Sequence, residues 1–219
     1  MIFHLVEKSK KRDATGEISR YKARLVIKGY SQREGVDYDE TYSPVVRHSS
    51  LRYLFALAVE LDLIVEQMDA VTAFLQGELK EEVYMEQPSE FQSIEEPTKV
   101  CRLNKALYGL KQSSRVWNAA LDEKLKQFEL EKSKFDQCVY FKIEGNKVLI
   151  VAIYVDDMII FCNFLPWLEA LKQNLHSNFK MKELGVVSHC LGIRVRRNED
   201  GISLDQETYI DKILERFEI

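Results

Sequence analysis

Residues 148–161 read Val-Leu-Ile-Val-Ala-Ile-Tyr-Val-Asp156-Asp157-Met-Ile-Ile-Phe, two adjacent carboxylates between two apolar runs. Each run is short and rich in Val and Ile, as in strands buried on both faces, and the acidic pair interrupts them where a tip would fall. The pattern specifies a buried β-hairpin with charges at its turn. A packed sheet that delivers two carboxylates to one point is a candidate magnesium site, because Mg²⁺ takes hard oxygen ligands. The alternative is a hairpin whose turn happens to be Asp-Asp.

Periodicity organises the remainder. Tyr21-Lys-Ala-Arg-Leu-Val-Ile-Lys28 alternates basic and apolar residues at period two. That puts Lys22, Arg24 and Lys28 on one face of a strand, with a turn expected before it at Asp13–Gly16. Residues 31–50 read as an ordered loop. Beyond it Leu51, Leu54, Phe55, Ala58 and Val59 recur at helical spacing behind Ser49 and Ser50, which are good caps. A strand over residues 63–69 ends on Asp69, followed by a short turn or helix around Phe74 and an acidic strand near residues 82–86. Trp117, Leu121, Leu125 and Phe128 form one stripe of a helix over 113–130, with serines at its start. A hairpin with a Glu-Gly-Asn-Lys turn leads into the Asp pair. A helix over about 166–179, strands around Val195 and Ser203, and a last helix with Ile210, Ile213, Leu214 and Phe217 complete the chain.

With 219 residues, 46% of them hydrophobic, the chain can bury one large core or two small lobes. No run approaches the roughly 20 apolar residues of a membrane span, and the opening residues lack a basic segment followed by an apolar one. The protein is therefore read as intracellular, with no membrane partner. The four cysteines are scattered without C-x-x-C spacing, which argues against a zinc site or a disulfide framework. The net charge of −4 is uneven: residues 61–98 carry ten acidic side chains and one basic one. Basic surface for a polyanion therefore remains available elsewhere.

Asp69 and the Asp156-Asp157 pair each close or follow a hydrophobic strand, so neighbouring strands of one sheet could bring them together. Two divalent ions about 4 Å apart between such carboxylates stabilise both the attacking and the leaving oxygen of a phosphoryl transfer. Tyr154-Val-Asp-Asp157, Gln67-Met-Asp69-Ala-Val-Thr-Ala-Phe74-Leu-Gln-Gly77, Arg20-Tyr-Lys-Ala-Arg-Leu-Val-Ile-Lys-Gly29 and Ala106-Leu-Tyr-Gly-Leu-Lys-Gln-Ser113 stand in order along the chain. Together they resemble the reverse transcriptase domain of copia-type LTR retrotransposon Pol polyproteins. The likeness continues through Met181-Lys-Glu-Leu-Gly185, Leu191-Gly-Ile193 and Tyr209-Ile-Asp-Lys-Ile-Leu214.

The resemblance implies an α+β fold of fingers and palm over residues 1–219, with an antiparallel palm sheet backed by helices. It implies an RNA-directed DNA polymerase that uses two Mg²⁺ ions, with Mn²⁺ as a substitute. Asp69 and Asp156 then become metal ligands and catalytic residues, with Asp157 as an adjacent support. Lys22 and Arg24 would hold the triphosphate of a deoxynucleoside triphosphate, Phe74 would exclude a 2′-hydroxyl, and Tyr108 and Gly109 would touch the sugar. Lys111, Gln112 and Arg115 would meet template or nucleotide, Gly192 a primer-gripping hairpin, and Lys182 would protonate departing pyrophosphate. The implied partners are an RNA or DNA template with its primer and, in an intact element, the RNase H and integrase parts of Pol. The implied setting is the cytoplasm, inside a virus-like particle, or the nucleus. Ser114 departs from the family, which usually has proline there, as do Asn163-Phe-Leu-Pro166 and an N-terminal lead-in without the usual tryptophan. The rival readings are a repurposed, non-catalytic remnant that binds nucleic acid weakly and an unrelated two-metal nuclease or phosphatase.

Overall fold

The computed structural model describes residues 3–12, 18–88 and 91–217, with side chains described from Arg24 onward except Thr208. Along the chain come β1 (Phe3–Arg12), β2 (Ile18–Ile27), α1 (His48–Glu60), β3 (Ile64–Ala70), β4 (Tyr84–Glu86), β5 (Val100–Arg102) and α2 (Ser113–Gln127). Then follow β6 (Glu131–Lys132), β7 (Val139–Glu144), β8 (Lys147–Tyr154), β9 (Asp157–Cys162) and α3 (Leu165–Asn178). Last are β10 (Met181–Val186), β11 (His189–Cys190), β12 (Ile193–Asn198), β13 (Gly201–Asp205) and α4 (Glu207–Phe217). The fold is mixed α and β with antiparallel sheets, and the chain divides into two compact units.

The first unit comprises Met1–Ser43 and Thr72–Glu123. Strands β1 and β2 pair antiparallel, as do β4 and β5, and Ile27, Val83, Met85 and Leu110 form a buried cluster. The turn expected at Asp13–Gly16 lies outside the described residues. Two glycines allow a close approach at the end of β2. Gly109 has φ +97°, and a Cβ there would lie 2.1 Å from the Ile27 carbonyl oxygen; a Cβ on Gly29 would lie 1.9 Å from the Gly109 carbonyl oxygen. Only glycine fits at either position.

The second unit comprises Pro44–Val71 and Lys124–Ile219. Its centre is a six-stranded antiparallel sheet in the order β10-β3-β9-β8-β7-β6. Residues 148–153 and 158–162 are buried throughout, which explains why these strands read as continuous apolar runs and not as an alternation. Phe55 of α1 packs edge-on against Phe161 at 5.4 Å, and Lys172 of α3 pairs with Glu66 of β3 at 2.5 Å. Since Glu66 points away from the face that carries Gln67 and Asp69, α3 covers the side of β3 opposite Asp69.

Two expectations about helices change. Ser49 and Ser50 lie inside α1, whose N-cap is Arg47 with no side-chain cap of its own. The capping function comes from Asp136, remote in sequence. Its Oδ2 accepts from the Arg47 N–H (3.0 Å) and the Ser50 hydroxyl (2.6 Å), and its Oδ1 accepts from the Cys138 N–H (3.0 Å). At the start of α2, Ser113 is the first helical residue and donates its hydroxyl back to the Leu107 carbonyl. In α4 the apolar stripe is not core: Tyr209, Ile210, Leu214 and Phe217 are exposed.

Asp136 is an electrostatic anchor. Burial alone would raise its carboxyl, but the bonds from Ser50, Arg47 and Cys138 outweigh burial and hold it below the ordinary value. A depressed folded-state pKa contributes stability that is present above the unfolded-state value and is lost as pH falls through the folded one. Asp136→Ala also orphans three donors. It is expected to cost about 3 kcal/mol near neutral pH, the scale of a lost cap plus buried unpaired groups. Denaturant unfolding of both proteins should show the difference shrinking as the pH is lowered into the carboxylate range.

Candidate active site

The carboxylates all lie in the second unit. Asp69 stands directly opposite Asp157 in the β3–β9 register, which places their side chains on one face with Cβ atoms about 5 Å apart. On its other side Asp69 is opposite Lys182 of β10, and Asp157 is opposite Tyr154 of β8. One row across four strands therefore carries Lys182, Asp69, Asp157 and Tyr154, with Lys182 exposed. Asp156 sits in the two-residue turn between β8 and β9, and its carbonyl accepts from the Ala70 N–H at 2.9 Å, docking the tip onto β3. The turn is strained: Val155 has φ +56°, a region that β-branched residues avoid. Such strain persists only where the surroundings fix the backbone, and here both flanking strands are buried.

The register thus sets Asp157, not Asp156, face to face with Asp69. Asp156 belongs to the turn and lies outside that register. Burial raises the Asp157 carboxyl above the ordinary value, a hydrogen bond from Gln67 opposes that shift, and the charge of Asp156 adds to it. Gln67 Nε2 donates to Asp157 Oδ1 at 3.0 Å. Gln67 is not among the site residues expected from the sequence. The available signal was its place two residues before Asp69, on the same strand face. Among the described residues no group of three or more His, Cys, Asp or Glu side chains is gathered to hold a metal ion. The donor set nonetheless suits a hard divalent cation: carboxylate oxygens on facing strands, one of them raised by burial and by a neighbouring negative charge that a cation would offset.

Near this end of the sheet, Cys190 starts the β11–β12 hairpin. Burial, and next the Asp157 charge, push its thiol up to about 11. The hairpin turn is Leu191-Gly192 with φ +50° and +78°, and Cys190 pairs with Ile193. Positive φ at both central residues matches the twist of a tight hairpin.

The first unit holds the other candidates. The Arg24 guanidinium lies over the Tyr108 ring, 5.2 Å from its centroid, and Phe74 meets the same ring at 5.0 Å and a 53° tilt. Arg24, Tyr108 and Phe74 thus form one partly buried stack, fixed by the Ile27 N–H donating to the Tyr108 carbonyl at 2.8 Å. Lys22 lies in β2, but its side chain is outside the described ones. Gly109 supplies the close approach to β2.

The next three candidates are engaged within the protein. Lys111 donates its main-chain N–H to Gln32 Oε1 (2.8 Å) and its Nζ to the Tyr38 hydroxyl (3.1 Å). Gln112 is fully buried, its Oε1 accepting from Gln32 Nε2 and its Nε2 donating to the Asp37 carbonyl, so it braces a loop. Arg115 pairs with Glu40 at 2.7 Å on the surface. The four cysteines carry no disulfide. Among the described residues no helix is long and apolar enough to cross a membrane.

A family model described as reverse transcriptase (RNA-dependent DNA polymerase) matches residues 4–219, and the chain belongs to that family. The chain is 45% identical over 210 residues to the Retrovirus-related Pol polyprotein from transposon TNT 1-94 of Nicotiana tabacum, covering 94% of this chain and 16% of the relative. It is 39% identical over 208 residues to the Pol polyprotein from transposon RE1 of Arabidopsis thaliana, covering 95% and 14%. A putative transposon Ty5-1 protein of Saccharomyces cerevisiae is 31% identical over 153 residues, 69% of this chain and 50% of that protein. Within the family, the similarity is to the reverse transcriptase domain of copia-type retrotransposons. The chain spans 16% and 14% of the length of the two plant Pol polyproteins it matches.

Proposed function

We propose that this chain carries the polymerase centre of its element and adds deoxynucleotides to a primer 3′-end on an RNA template. The observation that supports this most is the register that sets Asp69 opposite Asp157 while the Asp156 tip docks on Ala70. In this reading the six-stranded sheet is the palm, and residues 1–43 and 72–123 are the fingers.

Asp69, Asp156 and Asp157 are the groups that would hold divalent ions, Mg²⁺ or its substitute Mn²⁺. Bound there, such ions would supply Lewis acidity to the attacking 3′-oxygen and to the departing pyrophosphate. The chain's own residues do the rest. The sheet keeps Asp69 and Asp157 rigid, so little ordering remains to be done when the nucleotide arrives. Arg24 offers a fixed, always-charged guanidinium to phosphate oxygens, with Lys22 two residues earlier on the same strand. Phe74, which packs on Tyr108, is the residue that would exclude a 2′-hydroxyl by steric conflict. Lys182, a strand neighbour of Asp69, is the residue that would give a proton to the departing pyrophosphate. The Gly192 hairpin is the candidate primer contact. The partners proposed are a primed RNA or DNA template and the other Pol domains, in the cytoplasm of the host cell.

Extension of a primed RNA template by the chain, with deoxynucleotides and with or without Mg²⁺, tests the reading. Metal-dependent extension of the primer is expected. Metal-independent duplex binding without extension at any Mg²⁺ concentration would instead identify a repurposed, non-catalytic domain.

A further inference from the structure

We propose that Gln67 is a positioning residue of the carboxylate centre: its side-chain amide fixes the Asp157 carboxylate on the strand face that it shares with Asp69. The inference rests on the proposed function in one respect, that these carboxylates bind a divalent ion.

Gln67 is 8% exposed and lies on β3 two residues before Asp69, hence on the same face. Asp157 is opposite Asp69, so Gln67 is its diagonal neighbour, a spacing of about 7 Å that a long side chain can bridge. The bond made is Nε2 to Oδ1 at 3.0 Å. It commits one oxygen of Asp157 to the protein and leaves the other free to serve the site.

The residue type matters as much as the place. Asp156, Asp157 and Asp69 repel one another, and an unrestrained Asp157 would turn away from its neighbours. A lysine or arginine in place of Gln67 would restrain it by supplying a full positive charge, which would compete with any incoming cation. A neutral amide donor restrains the carboxylate and leaves its charge for the ion. Groups of this kind, which hold metal ligands in orientation, typically contribute a factor of 10–100 in metal affinity.

The test uses the whole 219-residue chain and Mn²⁺ as probe, with free ion followed by electron paramagnetic resonance. Gln67→Met, of similar length but without the donor, is expected to weaken Mn²⁺ binding by about 10- to 100-fold. It should have no further effect once Asp157→Ala is present, because the contact it removes is already gone. In primer extension the defect should appear as a higher Mg²⁺ requirement that excess Mg²⁺ overcomes. Where Gln67→Met fails to fold, Gln67→Asn, which keeps an amide but withdraws it by one methylene, takes its place with the same expectation. Unchanged Mn²⁺ affinity in the Gln67 variant, alongside weakened binding in Asp69→Asn, would overturn the inference and leave the site standing. An equal defect with and without Asp157→Ala would assign Gln67 to packing alone. Binding that Asp69→Asn does not alter would overturn the carboxylate site itself, and the inference with it.

Discussion

Asp156→Asn and Asp69→Asn are each expected to reduce primer extension by more than about 10³-fold, above the loss seen when a single preorganised donor to a transition state is removed. Asparagine keeps the shape and removes the charge, and a neutral amide is a far weaker ligand for a hard divalent ion. Stability should move the other way. Three carboxylates near one sheet end repel, and the Asp157 carboxyl is raised first by burial and also by Asp156. Thermal melting without metal should therefore be unchanged or higher in Asp156→Asn. Duplex binding, which depends on distributed phosphate contacts, should persist. Full activity in either variant, or a large loss of stability in both, would mean that these residues hold the fold and not the ion.

Phe74→Ala is expected to admit ribonucleotides, lowering discrimination against a 2′-hydroxyl by about 10³-fold, equivalent to about 4 kcal/mol. Part of the ring is already committed: it packs on Tyr108, which stacks beneath Arg24. Truncation therefore also removes an aromatic pair worth about 1 kcal/mol and should lower the melting temperature modestly. The two effects separate in the assay, because loosened packing would lower incorporation of both sugars while loss of a steric gate raises one alone. Phe74→Leu, which refills much of the volume, should recover stability and only part of the selectivity. Unchanged sugar selectivity in an active Phe74→Ala enzyme would make Phe74 a packing residue.

What could be read from the sequence, and what could not, follows from the range of the interactions. The hairpin around Asp156-Asp157 was legible because both strands are buried on both faces and the break between them is acidic. The α3 stripe of Leu168, Leu171 and Leu175 was legible for the same local reason. The cap of α1 was not, since its carboxylate arrives from Asp136 through tertiary structure, and no local pattern records it. Gln112 lies in a family motif and could serve nucleic acid or the fold equally well; only its burial against Gln32 and Asp37 shows where its amide is spent. In α4, periodicity marks an apolar stripe but does not record that Tyr209, Ile210, Leu214 and Phe217 are exposed. At the site itself, spacing announced the carboxylates, but their pairing depends on strand register. A shift of one residue would have exchanged Asp157 for its neighbour.

The contact between Gly29 and Gly109 has a genetic consequence. Every single-nucleotide change that alters a glycine codon's meaning introduces a side chain with a Cβ or a stop, and the space at both positions is already filled by main-chain oxygen. A substitution at either position is therefore expected to displace the main chain it meets. In a genome holding many copies of such an element, a copy that has lost either glycine has lost the seam joining β2 to the segment that carries Tyr108. Loss of either glycine is therefore expected to disable a copy of this chain even where Asp69, Asp156 and Asp157 are intact.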